Sequence, residues 1–164
     1  MEMRFCPQCA TPLIDKVEAG LARRVCTKEG CGFIHYGNPL PVVAAIVEHE
    51  GQIVLVRAPA WPEKFFGLVT GFLEAGETPQ QGVLREVKEE LGLDGEVVSL
   101  IGAYSFEMNN ELIVAFHVRA QGELKLGSEL AAFKRISPDK LRAWEFGTGL
   151  AMRDWLQLRR PSGS

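Results

Sequence analysis

Three glutamates at helical spacing, Glu86, Glu89 and Glu90, are the residues of this 164-residue chain best suited to chemistry. At about 100° per residue they fall within roughly 100° of arc on one helix face. Like charges so placed repel one another, by roughly a few tenths of a kcal/mol per pair when solvated and by more when partly buried. A cation relieves that repulsion. Carboxylate oxygens select hard ions such as Mg²⁺, which keeps several waters and binds together with substrate phosphates. A solvated charged face is the other reading of such a stripe, and the helix alone leaves both open.

The four cysteines form a second constellation. All lie in the first 31 residues, as Cys6-Pro-Gln-Cys9 and as Cys26 and Cys31 with four residues between them. Two short knuckles joined by a hairpin suit tetrahedral Zn²⁺, each giving two thiolates. With four protein ligands no position stays open for a reactant, so the zinc is expected to be structural. Such a short segment cannot hold itself together by core burial, and the metal stabilises it. The second knuckle is longer than the common spacing, and Gly30 and Gly32 supply the flexibility it needs. Unrelated buried or redox cysteines are the alternative, as is His35 in place of one thiolate.

The remaining composition bounds the setting. At 46% hydrophobic and 24% charged, the chain is an ordinary globular sequence with room for one main domain and a small appendage. Its net charge of −3 argues against holding nucleic acid mainly by bulk positive charge and leaves local basic patches open. No apolar run approaches the roughly 18 residues of a membrane span, and the N-terminal residues lack a secretory apolar stretch. A cytoplasmic protein without membrane partners is the expectation.

The elements that must position the glutamates are legible in the punctuation. Gly37 to Pro41 marks a boundary. The runs VVAAIVE and QIVLVR read as a hairpin turning across His49, Glu50 and Gly51. A loop, APAWPEKFFG, precedes a short strand from Leu68 to Phe72. Thr78 is placed to cap a helix, Pro79 fits its first position, and Gly92 fits its stop. Val83, Leu84, Val87 and Leu91 form its apolar side, and Gly82 is expected to leave room on the acidic side. Two further strands flank Asn109-Asn110, LAAFKRI reads as another, a short helix begins at Ser137, and Gly149 to Leu158 reads as a closing helix. The balance is a mixed sheet with helices packed on it. The expected domains are a zinc ribbon at 1–37, a main domain at 38–160 and a tail at 161–164.

From Gly71 the chain reads glycine, five residues, Glu77, seven residues, Arg85-Glu86, Val87, Lys88, Glu89-Glu90, Leu91, Gly92, Leu93. This resembles the Nudix hydrolase signature, G-x5-E-x7-R-E-U-x-E-E-x-G-U with U aliphatic, at every fixed position. The resemblance implies an α/β fold, a Nudix α-β-α sandwich with a mixed sheet. It implies Mg²⁺- or Mn²⁺-dependent hydrolysis of a nucleoside diphosphate linked to another group. On that likeness Glu86, Glu89 and Glu90 hold the metal with the carbonyl of Thr70, Glu77 and Arg85 pair to brace the loop, and Gly71 and Gly92 meet backbone requirements. Glu86 is the candidate proton acceptor. Glu129 stands where a glutamate outside the box often serves, and Glu107 and Glu111 compete with it.

A zinc ribbon ahead of this domain is similar to the NADH pyrophosphatase subgroup. That subgroup's Ser-Gln-Pro-Trp-Pro-Phe-Pro array is absent, and GAYSFEMNNELIVAF stands in its place. An adenine dinucleotide such as FAD or NAD(H), or an ADP-sugar, split to release AMP, is the implied substrate. Trp61, Phe65, Phe66, Tyr104 and Phe106 could stack its rings, with core packing the alternative for each, and Arg57 could meet a phosphate. His117 is given no function. Two other readings stay open: a nucleotide sensor on the same fold, and a hydrolase of nucleotide-capped RNA whose ribbon grips the transcript through Arg23, Arg24 and Lys28. A homodimer is implied by likeness to the subgroup alone.

Overall fold

A hairpin and a short third strand build the first unit of the protein, whose structure is a computed structural model describing residues 3–159. Strands β1 (Leu13–Glu18), β2 (Leu21–Cys26) and β3 (Ile34–His35) pair antiparallel in that order. The chain divides into two compact units, Met1–Pro39 and Leu40–Ser164. The tail expected at 161–164 lies outside the described residues.

In the second unit the run Val42 to Val47 is buried at every position, from 7% exposed at Val42 to fully enclosed at Val47. A strand with both faces covered needs no polar alternation. Strand β4 (Leu40–His49) sits inside a mixed sheet with β5 (Gln52–Arg57), β6 (Val69–Phe72), β7 (Asp94–Phe106), β8 (Glu111–Gln121) and β9 (Ala132–Ile136). The order is β7-β8-β4-β5-β9, with β6 also on β4. Among the described residues only β4 and β8 run parallel, from Leu40 opposite Glu111 to His49 opposite Ala120. The β4–β5 turn uses Glu50 and Gly51, both at positive φ (51° and 74°), as a two-residue hairpin requires.

Successive β4 residues feed different cores, because side chains alternate across a strand. Val43, Ala45 and Val47 meet Val83, Val87 and Leu91 of helix α1 (Pro79–Leu91). Val42, Ala44 and Ile46 meet Ala151, Met152 and Trp155 of helix α2 (Gly149–Leu158). The result is the α-β-α sandwich. Helix α1 starts with a reciprocal capping box: Thr78 Oγ accepts from the Gln81 N–H, and Gln81 Oε1 accepts from the Thr78 N–H. It stops at Gly92, left-handed at φ 69°, whose N–H donates to the Lys88 carbonyl. Between β7 and β8 a 3-10 turn occupies Glu107–Asn109, with Asn110 left-handed. Strand β7 begins at Asp94, and two register irregularities interrupt its pairing with β8.

Candidate active site

One guanidinium organises the start of the site. Arg85 donates from Nε (3.1 Å) and Nη2 (2.7 Å) to the two carboxylate oxygens of Glu77, a bidentate pair. Its Nη2 also reaches the Phe72 carbonyl at the end of β6, and its Nη1 reaches Glu86 at 2.7 Å and Glu89 at 3.2 Å. Glu77 additionally accepts from the Glu74 N–H at 2.7 Å. Strand end, loop and helix are thereby joined at a single side chain. Arg85, first, and the Glu74 N–H hold the Glu77 carboxyl below its usual range.

Two glycines permit close approach. A Cβ at Gly82 would meet Glu77 Oε1 and Leu73 Cδ1, each at 2.9 Å. Gly82 therefore leaves room for a close approach, and what approaches is the docked 73–77 loop. A Cβ at Gly71 would overlap the Glu86 carboxylate itself. Gly71→Ala is expected to keep the fold, because only the tip of Glu86 must swing aside. Its turnover should fall about a hundredfold, the penalty of displacing a reacting group by roughly 1 Å. Steady-state kinetics beside a melting curve checks both halves, and unchanged turnover would separate Glu86's position from activity.

The end of α1 brings in the fourth carboxylate. The last carbonyls of a helix lack internal partners; here Leu91 and Glu90 accept from the N–H groups of Lys125 (2.9 Å) and Gly127 (2.8 Å). A Cβ at Gly127 would stand 2.5 Å from the Glu89 carbonyl, so this contact demands glycine. The segment so stapled delivers Glu129 into a cleft of about 940 Å³ that Glu86, Glu89 and Thr70 also line. Glu111 lines it too, whereas Glu107 does not.

Glu90 is the electrostatic centre. Its Oε2 is buried without a hydrogen-bond partner among the described residues. Burial, then repulsion from Glu86, Glu129 and Glu89, pushes its carboxyl up to about 8. Burial likewise pushes Glu86 up, against the pull of Arg85. An orphaned buried oxygen among crowded carboxylates fits a hard divalent cation, the partner that oxygen donors select.

Part of the cleft lining is aromatic. Phe65 stacks on Phe146 with centroids 5.6 Å apart, and meets Trp61 (5.2 Å) and Trp144 (5.9 Å) edge-on. All four rings and Phe106 line the cleft. Trp144 and Phe146 escape the sequence reading; the signal available is two large aromatics beside Gly147 in a stretch without strand or helix period. Three candidates for substrate contact are placed elsewhere. Phe66 packs against the α2-side core with the Lys134 ammonium 4.6 Å from its ring centroid. Tyr104 donates to Asp154 Oδ2 at 2.9 Å, and Arg57 ends β5 opposite Ala132. None of the three lines the cleft. His117 lies on the α2 side, with its Nε2 2.9 Å from Glu48 Oε2 and its ring against Trp155.

In the first unit the sulfurs of Cys6, Cys9, Cys26 and Cys31 all lie within 4.8 Å of one another. A tetrahedral Zn²⁺ with bonds of about 2.3 Å sets its sulfurs about 3.8 Å apart, so the set fits that ion. His35 stands on β3 opposite Arg24 and is outside the cluster. Arg23 is spent on Tyr36, donating to its carbonyl and lying over its ring.

A family model described as NUDIX domain matches residues 38–157, and a zinc-ribbon model described as Nudix N-terminal matches residues 4–37. The chain is 30% identical over 122 residues to the NAD-capped RNA hydrolase NudC of Pseudomonas aeruginosa, covering 74% of this chain and 42% of that protein. Its identity to the protein of the same name from Mycobacterium tuberculosis is 35% over 120 residues, 70% of this chain and 36% of that one. The chain thus spans less than half the length of either curated relative. Among solved structures, a NUDIX hydrolase from Nitrosomonas europaea superposes with a TM-score of 0.74 at 29% identity, over 85% of this chain and 80% of that chain.

Proposed function

The chain belongs to the Nudix hydrolases, and from that membership we propose that it cleaves the pyrophosphate of a nucleoside diphosphate whose other half carries a second nucleotide or a sugar. The observation that carries the reading is a single cleft lined both by the carboxylates Glu86, Glu89 and Glu129 and by the rings of Trp61, Phe65, Trp144 and Phe146, with the unpartnered, buried Glu90 oxygen beside those carboxylates. Carboxylates and rings in one cleft suit a molecule with a charged middle and a flat terminus.

Glu86, Glu89 and Glu90, with the Thr70 carbonyl, are the residues to hold Mg²⁺ or Mn²⁺. Bound there, a divalent ion offsets phosphate charge and lowers the pKa of a water. The chain's own side chains do the rest. Arg85 fixes the rotamers of Glu86 and Glu89 by donating to both. We assign proton acceptance from the water to Glu129, which also lines the cleft, because Glu86 already has an oxygen engaged by the Arg85 guanidinium. Phe65, Phe146 and Trp61 present ring faces and edges to the base or flavin of the substrate. Attack of water at either phosphorus breaks the bridging P–O bond and releases AMP with the other half as a phosphate ester.

Two curated relatives are named for NAD-capped RNA, and an adenine dinucleotide at an RNA 5′ end presents the same pyrophosphate as the free compound. The substrate proposed is therefore an adenine dinucleotide, free or as such a cap. The test is a phosphate-release screen with Mg²⁺ or Mn²⁺ against NAD⁺, NADH, FAD, ADP-ribose and NAD-capped RNA. Metal-dependent turnover of a dinucleotide is the expected result. Tight binding with no turnover would replace the hydrolase by a nucleotide sensor.

A further inference from the structure

A second recess, of about 860 Å³, is lined by Arg142, Arg153 and Arg159 with one carboxylate, Asp139. Leu141 and Leu156 give it an apolar floor. Three guanidinium groups against one lining carboxylate make it locally basic in a chain of net charge −3. Arg142 donates to the carbonyl oxygens of Asp139 (3.2 Å) and Leu141 (2.8 Å), which anchors the guanidinium without neutralising it. Arg153 pairs with Asp154 at 2.9 Å and Arg159 stands 3.7 Å from Glu48, with side chains 54% and 44% exposed. Pairs that exposed are weak, so a phosphate can draw both arginines away.

The placement of the recess gives it a direction. Helix α2 begins at the carboxylate cleft, which Thr148 lines, and carries Arg153 and then Arg159 into the basic recess. At about 1.5 Å rise per residue these arginines lie roughly 8 and 16 Å beyond Thr148. The segment before the helix repeats the adjacency: Arg142 and Ala143 line the recess, and Trp144 lines the cleft. That path is on the order of a few nucleotides of chain.

We propose that the recess binds the phosphodiester backbone of an RNA chain whose 5′-terminal nucleotide, linked through a pyrophosphate, occupies the cleft. The proposal rests on the reading of the cleft given above. The sign of the charge selects an anion, and its continuation along α2 selects a chain over a single phosphate. A free dinucleotide is expected to stay in the cleft and to be indifferent to these arginines.

The test compares Arg142→Ser/Arg153→Gln with a control of equal charge change elsewhere, Lys16→Gln/Lys125→Gln, in the full chain. The substrates are NAD⁺ and an NAD-capped RNA of about 12 nucleotides. The recess variant should lose about tenfold in kcat/KM on the capped RNA alone. Its salt dependence there should flatten by about 1.4 in log–log slope, at about 0.7 per phosphate contact. Equal loss on both substrates, equal loss in the control, or no loss overturns the proposal. If the unmodified protein turns over neither substrate, the reading of the cleft has failed. The recess is then judged by the affinity of a labelled uncapped RNA of that length at low salt. Binding about tenfold weaker in the recess variant than in the control upholds it, and equal affinities overturn it.

Discussion

Glu90→Gln is expected to lower turnover about a thousandfold and, in metal-free protein, to raise the melting temperature above pH 8. The first effect follows from removing one charged oxygen donor for the cation. The second follows from linkage. The folded protein holds the Glu90 carboxyl up at about 8, while the unfolded chain returns it to the ordinary glutamate value of about 4.5. Between those values the folded state binds a proton that the unfolded state releases, so stability falls as pH rises through the window and levels off above it. Glutamine has no proton to lose and no charge to bury. Removing an unpaired buried charge is worth about 2 kcal/mol here, or about 5 °C for a domain of this size. Melting curves in EDTA at about pH 5 and pH 9 should show the two proteins converging in acid and separating in base. Added Mg²⁺ should stabilise the native protein and leave the variant nearly unmoved. A variant less stable at pH 9 would mean that Glu90 is satisfied in a way its buried oxygen does not show.

Arg85→Lys should lower both stability and turnover although it keeps the charge. An ammonium is a point charge with three donors and cannot reproduce the planar fork that meets both Glu77 oxygens while reaching Glu86, Glu89 and the Phe72 carbonyl. Glu77 and Glu86, with side chains 15% and 13% exposed, would then be left short of donors. The arginine itself is 27% exposed, so solvent softens the loss to about 2 kcal/mol, below that of a fully buried pair. Turnover should fall about a hundredfold as Glu86 and Glu89 gain rotamer freedom. Urea denaturation and kinetics on one preparation check the two together. The Glu77 carboxyl, held low by Arg85, contributes stability above its unfolded value that is lost as pH falls through its folded one. The acid limb of the stability profile should therefore shrink in this variant, and an unaltered acid limb would count against the pairing as its source.

Elements governed by neighbouring residues were readable from the chain. Helix α1 announces itself through Thr78, Pro79 and Gly92, and the β4–β5 hairpin through Glu50 and Gly51, because caps and tight turns are set within a few residues. What escaped depends on distant chain. Tyr104 is claimed by Asp154, fifty residues on, and that bond takes it out of the cleft. Phe65 faces the cleft while its neighbour Phe66 packs on the α2-side core, a choice that loop geometry makes and that no period encodes. Trp144 and Phe146 gain meaning only when their segment folds against Phe65. Gly127 is an ordinary loop glycine until the Glu89 carbonyl is seen beneath it. The room at Gly82 is legible in the chain, but that the Glu77 carboxylate takes it is not.

The parallel pairing of β4 with β8 sets an order of events for the newborn chain. The contact of Val43 with Val114 closes a loop of 114 − 43 = 71 residues, whereas the cap and first turns of α1 need only their own segment. Helical turns form in roughly a microsecond or less, and pairings of high sequence separation wait for slow loop closure. The carboxylate helix can thus exist in a chain that still has no cleft, since Phe65 and Phe146 meet only after the strands between them are in place. During synthesis, the acidic helix is complete well before β8 leaves the ribosome, and the assembled pocket comes last.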